Sequence, residues 1–194
     1  MNDLPALLGG TPVRSTPFPI YRTIGAEEKQ AVMEVLDSGV LSQFLGAWSP
    51  DFLGGPRVRE LEADWSRHFA VAHTISVNSA TSGLYAAVGA AGVGPGDEVI
   101  VSPYTMSASA AAALVYGAVP VFADIDPNTL NLDPVCIEAA ITPRTTAIMP
   151  VHVYGHPCNV EAIEAIARRH NLKDIYEAAH AFGVRSQGGS VLNH

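Results

Sequence analysis

The chain has 194 residues, 48% of them hydrophobic and 15% charged, enough apolar material for one sizeable core. A formal net charge of −8, with only two lysines and nine arginines, excludes the clustered cations that binding a phosphate backbone requires, so nucleic acid is not an expected partner. No apolar run approaches a membrane span and Met1 to Leu8 lack the basic and apolar regions of an export signal. Cys136 and Cys158 form neither a disulfide framework nor a paired metal or redox motif, so the expectation is a cytoplasmic protein without a membrane partner.

Residues 1–24 read as an N-terminal arm, because Leu8 to Ile20 contains Gly9-Gly10, three prolines and few periodic apolar positions. A helix over Ala26 to Leu36 places Ala31, Val32, Val35 and Leu36 on one face, with Glu27 and Glu28 in the first turn and Gly39 as its stop. Pro56 opens a second helix on which Val58, Leu61, Trp65 and Phe69 share a face.

From there the pattern becomes strand, turn, helix, repeated. Strands are predicted over Thr74 to Val77, Glu98 to Ser102, Val119 to Ala123, Ala147 to Val153 and Asp174 to Tyr176. Helices are predicted over Thr81 to Ala91, Met106 to Tyr116, Cys136 to Ile141 and Val160 to His170. Runs such as Val99-Ile100-Val101 are apolar on both faces, as in a sheet covered by helices on both sides. The reading is α/β, a three-layer sandwich around a mainly parallel sheet, with residues 25–194 as one domain. Chemistry in such folds gathers just after the strands.

The strand ends carry these candidates. Asn78-Ser79-Ala80-Thr81-Ser82-Gly83 opens a helix with free amides and hydroxyls, a pattern that serves either as an ordinary Ser/Thr cap or as a phosphate site. Ser102-Pro103-Tyr104-Thr105-Met106 would project a hydroxyl and either an aromatic or a thioether over the same crevice, Met106 serving either the core or the face of a flat ligand. Asp124 and Asp126 read as loop caps. His152, His156 and Cys158 lie on strand and loop, where a four-residue spacing does not converge on a metal, and no metal site is assigned. Glu177 and His180 bring a carboxylate and an imidazole to the end of the last strand, where an acid could pair with a cationic ring nitrogen.

The stretches Val77 to Leu84, Gly94 to Val101, Pro103-Tyr104-Thr105, Val119 to Ile125 and Glu177-Ala178-Ala179-His180 resemble the DegT/StrS sugar aminotransferases, in the family's order and spacing from about Gly9 to Gly183. The resemblance implies the large domain of a fold type I enzyme dependent on pyridoxal 5'-phosphate (PLP), in a homodimer that moves an amino group from an amino acid to a keto sugar or cyclitol. It implies that Ser79, Ala80 and Thr81 hold the cofactor phosphate, with Ala80 in place of a common glycine. Met106 would lie against the ring where the family often has an aromatic residue. Glu177 would stand where the family's aspartate faces the pyridine nitrogen, and His180 matches the residue near the ring hydroxyl. Asp174 falls where the family has an apolar residue, a charge in a central strand. The family continues past Gly188-Gly189 through two more strands that bracket the Schiff-base lysine. Lys29 and Lys173 match neither its motif nor its position, so no catalytic residue is assigned and the chain alone is expected to be inactive, with an open sheet edge. The rival expectations are a non-catalytic relative acting through subunit binding and, less favoured, a dehydratase relative with histidine in place of the lysine, a role His194 comes too early to fill.

Overall fold

The computed structural model describes residues 4–186 and 189–193; Met1–Asp3 of the expected arm, Gly188 of the Gly188-Gly189 pair and His194 lie outside them. The chain divides into two compact units, Met1–Gly55 and Pro56–His194.

In the first unit a 3-10 turn, Ala6–Leu8, is followed by chain without regular structure up to helix α1, Ala26–Asp37. The Glu28 carboxylate accepts the Gly25 N–H at 2.6 Å, satisfying an amide that the helix start leaves open, and this bond lowers the Glu28 pKa. Gly39, at φ +69°, ends the helix as expected, its N–H bonding to Leu36 O at 3.0 Å. The apolar face departs from expectation: Ala31 and Val35 are half-buried, while Val32 and Leu36 are exposed. After α1, a Gln43 to Asp51 hydrogen bond of 2.9 Å and the Trp48–Phe52 ring contact at 5.1 Å tie the loop to itself.

The second unit begins with α2, Pro56–Phe69. Trp65 packs on Phe69 and Phe182, with ring centroids 4.7 and 5.4 Å apart, and Phe69 is buried; Leu61 stays exposed. Thr74 to Val77 is the clearest correction to the sequence reading. It forms no strand, because a strand exists only with a ladder partner and this segment pairs with none among the described residues. Side chains of α2 hold it instead. Glu62 accepts both the N–H and the hydroxyl of Ser76 at 2.8 Å, and Ser66 bonds Thr74 at 2.7 Å, leaving Ile75 exposed.

The sheet that does form is parallel throughout, in the order β2-β1-β3-β4, with β1 at Glu98–Val101, β2 at Val119–Phe122, β3 at Thr145–Met149 and β4 at Lys173–Asp174. Four further helices cover it: α3, Ala80–Ala90; α4, Ser107–Val115; α5, Pro134–Ala140; and α6, Val160–His170. Alternation along the strands builds two cores. Val99, Val101, Ala147 and Met149 face Leu84 and Val88 of α3 and Ala112 and Ala113 of α4. Ile100 and Ile148, between them in sequence, face Ile137 of α5 and Ile163 and Ile166 of α6. Three layers follow directly from that alternation.

Two smaller corrections concern the end of the chain. β4 starts at Lys173, one residue earlier than expected, and Asp174 is exposed at the sheet edge, so its charge remains in water. Beyond it the pairing continues as an isolated bridge between Val151 and Glu177. A short antiparallel pair, β5 at Arg185–Ser186 with β6 at Gly189–Ser190, was not foreseen from periodicity, since two residues carry no period. No helix among the described residues is long and apolar enough to cross a membrane.

Candidate functional site

The chain leaves β1 toward β2 on one side and β3 toward β4 on the other, so the strand order reverses between β1 and β3. Connections diverge at such a point and leave a crevice beyond the carboxyl ends of the strands. A cleft of about 250 Å³ lies there, walled by Pro103, Tyr104, Thr105 and Met106 after β1, by Val151, Val153 and Tyr154 after β3, and by His180 after the bridge at Glu177.

Of the residues expected from sequence, Met106 and His180 meet in this cleft. Met106 stands at the N-cap position of α4 and is 65% exposed, so it belongs to the cleft wall and not to the core. The His180 ring lies parallel to that of Tyr154, within 2° at a centroid separation of 6.3 Å. Tyr154 has a left-handed backbone, φ +52°, and its hydroxyl is 3.1 Å from that of Tyr104 across the cleft. That hydrogen bond, the neighbouring phenol and desolvation hold Tyr104 protonated above the ordinary phenol range. Sequence reading offered Tyr104 as an aromatic over the crevice without assigning it to the site, and passed over Tyr154, whose signal was only position after a strand.

Glu177 is buried behind the cleft wall and does not line the cleft itself. Its backbone bridges to β3's continuation, with Glu177 N–H to Pro150 O at 2.8 Å and His152 N–H to Glu177 O at 3.0 Å. Its side chain accepts a hydrogen bond from the Ser109 hydroxyl, on the first turn of α4.

Ser79, Ala80 and Thr81 form the opening of α3, and none of them lines the cleft. Ser79 is the N-cap and accepts the Ser82 N–H at 3.1 Å. Ser82 gives its own hydroxyl proton to Asn78 Oδ1 at 2.6 Å, so in the 3.0 Å contact between the two hydroxyls Ser79 is the donor. Gly83 N–H reaches Ser79 O, which leaves the amides of Ala80 and Thr81 as the outward-facing donors of the first turn. The tetrad is thus a helix cap and, at the same time, a turn with two amides directed at whatever lies before the helix.

The remaining candidates serve the framework. His152 is fully buried, accepts the Cys158 N–H on Nδ1 at 3.0 Å and stacks on Tyr176 with centroids 5.5 Å apart. The Cys158 thiol donates to Val151 O at 2.9 Å, and burial pushes its pKa up to about 12, an inert thiol. Asp124 and Asp126 bond backbone amides of their own loop, and Asp133 caps α5 through the Val135 N–H. Asn131, which sequence reading missed, is buried and joins two loops. Its Nδ2 donates to the carbonyls of His156 and Pro157, and its Oδ1 accepts the Val153 N–H.

Known proteins fit this arrangement. The spore coat polysaccharide biosynthesis protein SpsC of Bacillus subtilis (strain 168) is 48% identical over 158 residues, 81% of this chain and 38% of that protein. L-glutamine:2-deoxy-scyllo-inosose aminotransferase of Streptomyces lividus is 39% identical over 189 residues, covering 96% of this chain and 43% of that enzyme. Among solved structures, DesI in the presence of its TDP-sugar product superposes with a TM-score of 0.78 at 36% identity, over 96% of this chain and 45% of that one. The chain thus spans about two fifths of the length of the curated relatives it matches. The model of the DegT/DnrJ/EryC1/StrS aminotransferase family matches residues 22–193. The chain belongs to the DegT/DnrJ/EryC1/StrS aminotransferase family.

Proposed function

We propose that this chain is the cofactor-binding large-domain portion of a PLP-dependent aminotransferase that moves an amino group from an amino acid to a keto sugar or keto-cyclitol in polysaccharide or secondary-metabolite biosynthesis. PLP is the cofactor of the family. The observation that carries the reading is the cleft at the β1/β3 reversal. It is walled by a thioether, two phenols and an imidazole, with a buried carboxylate fixed behind it. A flat, anionic, heteroaromatic cofactor needs those complements: apolar and aromatic surface for the ring, an acid for its nitrogen, and amides for its phosphate.

The residues present fit that group. The amides of Ala80 and Thr81, with the Thr81 hydroxyl, would take the phosphate at the positive end of α3, and the Ser79 hydroxyl would join them by turning its proton from Ser82 to the phosphate. Ala80 in place of glycine leaves the backbone donors intact. Met106 would cover one ring face, His180 would stand by the ring hydroxyl, and Glu177 would hold the pyridine nitrogen protonated. When bound, the cofactor supplies the electron sink for carbanion chemistry at the substrate carbon. The chain's own part is to orient that ring, keep its nitrogen charged and close one side from water with Tyr104 and Tyr154.

In this reading neither Lys29 nor Lys173 is the Schiff-base lysine, the chain alone does not turn over, and the working enzyme is a cytoplasmic homodimer. Amino donor and acceptor are expected in the classes that relatives' names record, L-glutamine and an inosose in one case. The test is an absorbance titration with PLP, followed by borohydride reduction and mass analysis. We expect saturable binding near one PLP per chain, weakened by about tenfold or more in the double variant Ser79→Ala/Thr81→Ala, and no reduced adduct on lysine. A folded sample that fails to bind, or an adduct on Lys173, would sink it.

A further inference from the structure

The carboxylate of Glu177 belongs to a chain of hydroxyls that begins at the cleft. A carboxylate only accepts, so Ser109 gives its proton to Glu177 Oε2. The Ser109 oxygen then has only lone pairs for Thr105, and the 3.1 Å contact between Thr105 Oγ1 and Ser109 Oγ is donated by Thr105. Ser109 is fully buried, Glu177 nearly so, and Thr105 lines the cleft. Every proton in the series Thr105, Ser109, Glu177 therefore runs inward from the cleft wall to the buried acid.

The direction has consequences. Each bond in a one-way series polarises and strengthens the next. A glutamate also has one more rotatable bond than an aspartate, and an acid that must present a fixed oxygen needs that freedom removed. Ser109 Oγ occupies one carboxylate oxygen from α4, while the bridge to Val151 fixes the backbone from β3's side.

We propose that Ser109 is a positioning residue which, with Thr105 behind it, orients the Glu177 carboxylate toward the protonated nitrogen of a heteroaromatic ligand. This rests on the reading that the cleft takes PLP with Glu177 toward its ring nitrogen. The inward run of protons also specifies Thr105: with its proton committed to Ser109, it meets a ligand only as an acceptor, so a hydroxyl or ammonium group is the complement it selects.

The experiment loads the chain with ¹⁵N-labelled PLP and reads the ring-nitrogen chemical shift, which separates pyridinium from neutral pyridine without any turnover. The native chain should give the pyridinium signal. Ser109→Ala should still bind, with affinity lower by about tenfold, and should move the signal toward the neutral ring. Ser109→Thr, which keeps the hydroxyl, should restore it. Glu177→Gln should move the signal at least as far. An unchanged signal in Ser109→Ala beside a moved one in Glu177→Gln overturns the relay and leaves the Glu177 reading standing. An unmoved signal in Glu177→Gln overturns both. Should Ser109→Ala not fold, Thr105→Val decides: a smaller shift in the same direction supports the relay, and no shift refutes it.

Discussion

Nδ1 of His152 accepts the backbone N–H of Cys158 at 3.0 Å, which turns the chain after β3 back toward α6. The ring is fully buried and stacked on Tyr176. His152→Ala removes both the acceptor and the packing, so a loss of about 2–4 kcal/mol is expected from urea unfolding. A change within ~0.5 kcal/mol, the usual range of a surface site, would contradict the structural role.

Asn131 is the second clamp on the same stretch. Asn131→Asp keeps the shape but replaces the amide donor with a carboxylate facing two carbonyl oxygens, those of His156 and Pro157. It should cost more than Asn131→Ala, itself about 2–3 kcal/mol for a buried amide whose partners are left unpaired. Thermal denaturation of the two variants gives the order; Asp at or above Ala in stability would show that the amide does not bind those carbonyls.

Gly89 reverses the ordinary rule for helix interiors. Alanine there normally gains up to about 1 kcal/mol over glycine. At this position its Cβ would stand 2.4 Å from the Tyr116 hydroxyl, which is held at 2.9 Å by Tyr85 O. Gly89→Ala should therefore destabilise by about 1–3 kcal/mol, as overpacking does. A rise in the unfolding midpoint would contradict the α3–Tyr116 contact.

Glu98 makes stability depend on acid. Its buried carboxylate accepts the Thr142 hydroxyl, the largest cause of its lowered pKa, and pairs with Arg144, while desolvation opposes. A carboxyl lowered in the folded state contributes stability that is present above its unfolded value and is lost as pH falls through the folded one. Native chain should thus lose stability below pH 4.5, and Glu98→Gln should be less stable at neutral pH with a flatter acid limb. Equal slopes for the two proteins below pH 4.5 would remove Glu98 from the acid transition.

Much of this was legible in the sequence for a physical reason. Val99-Ile100-Val101 must alternate between two apolar faces, so three layers follow from the run itself. The Ser/Thr cap at the start of α3, where Ser79 acts on an amide three residues away, was equally readable. What failed depended on distant partners. Thr74 to Val77 has strand composition but no ladder partner among the described residues, and Asp174 was placed in the sheet interior although it lies at an edge. The same limit applies at the site. Met106 and His180 were visible as residues after strands, whereas the Ser109–Glu177 bond and the Tyr104–Tyr154 contact join positions 68 and 50 residues apart, a separation that no local pattern records.

On the proposed function, this chain would hold PLP by its phosphate at the opening of α3 and by its ring in the cleft. Parallel calorimetric titrations with PLP and with pyridoxal, which has the ring but no phosphate, test it most directly. Saturable PLP binding is expected, with pyridoxal weaker by about tenfold or more and that difference lost in Ser79→Ala/Thr81→Ala. A folded chain that binds neither, or both with equal affinity, would contradict it.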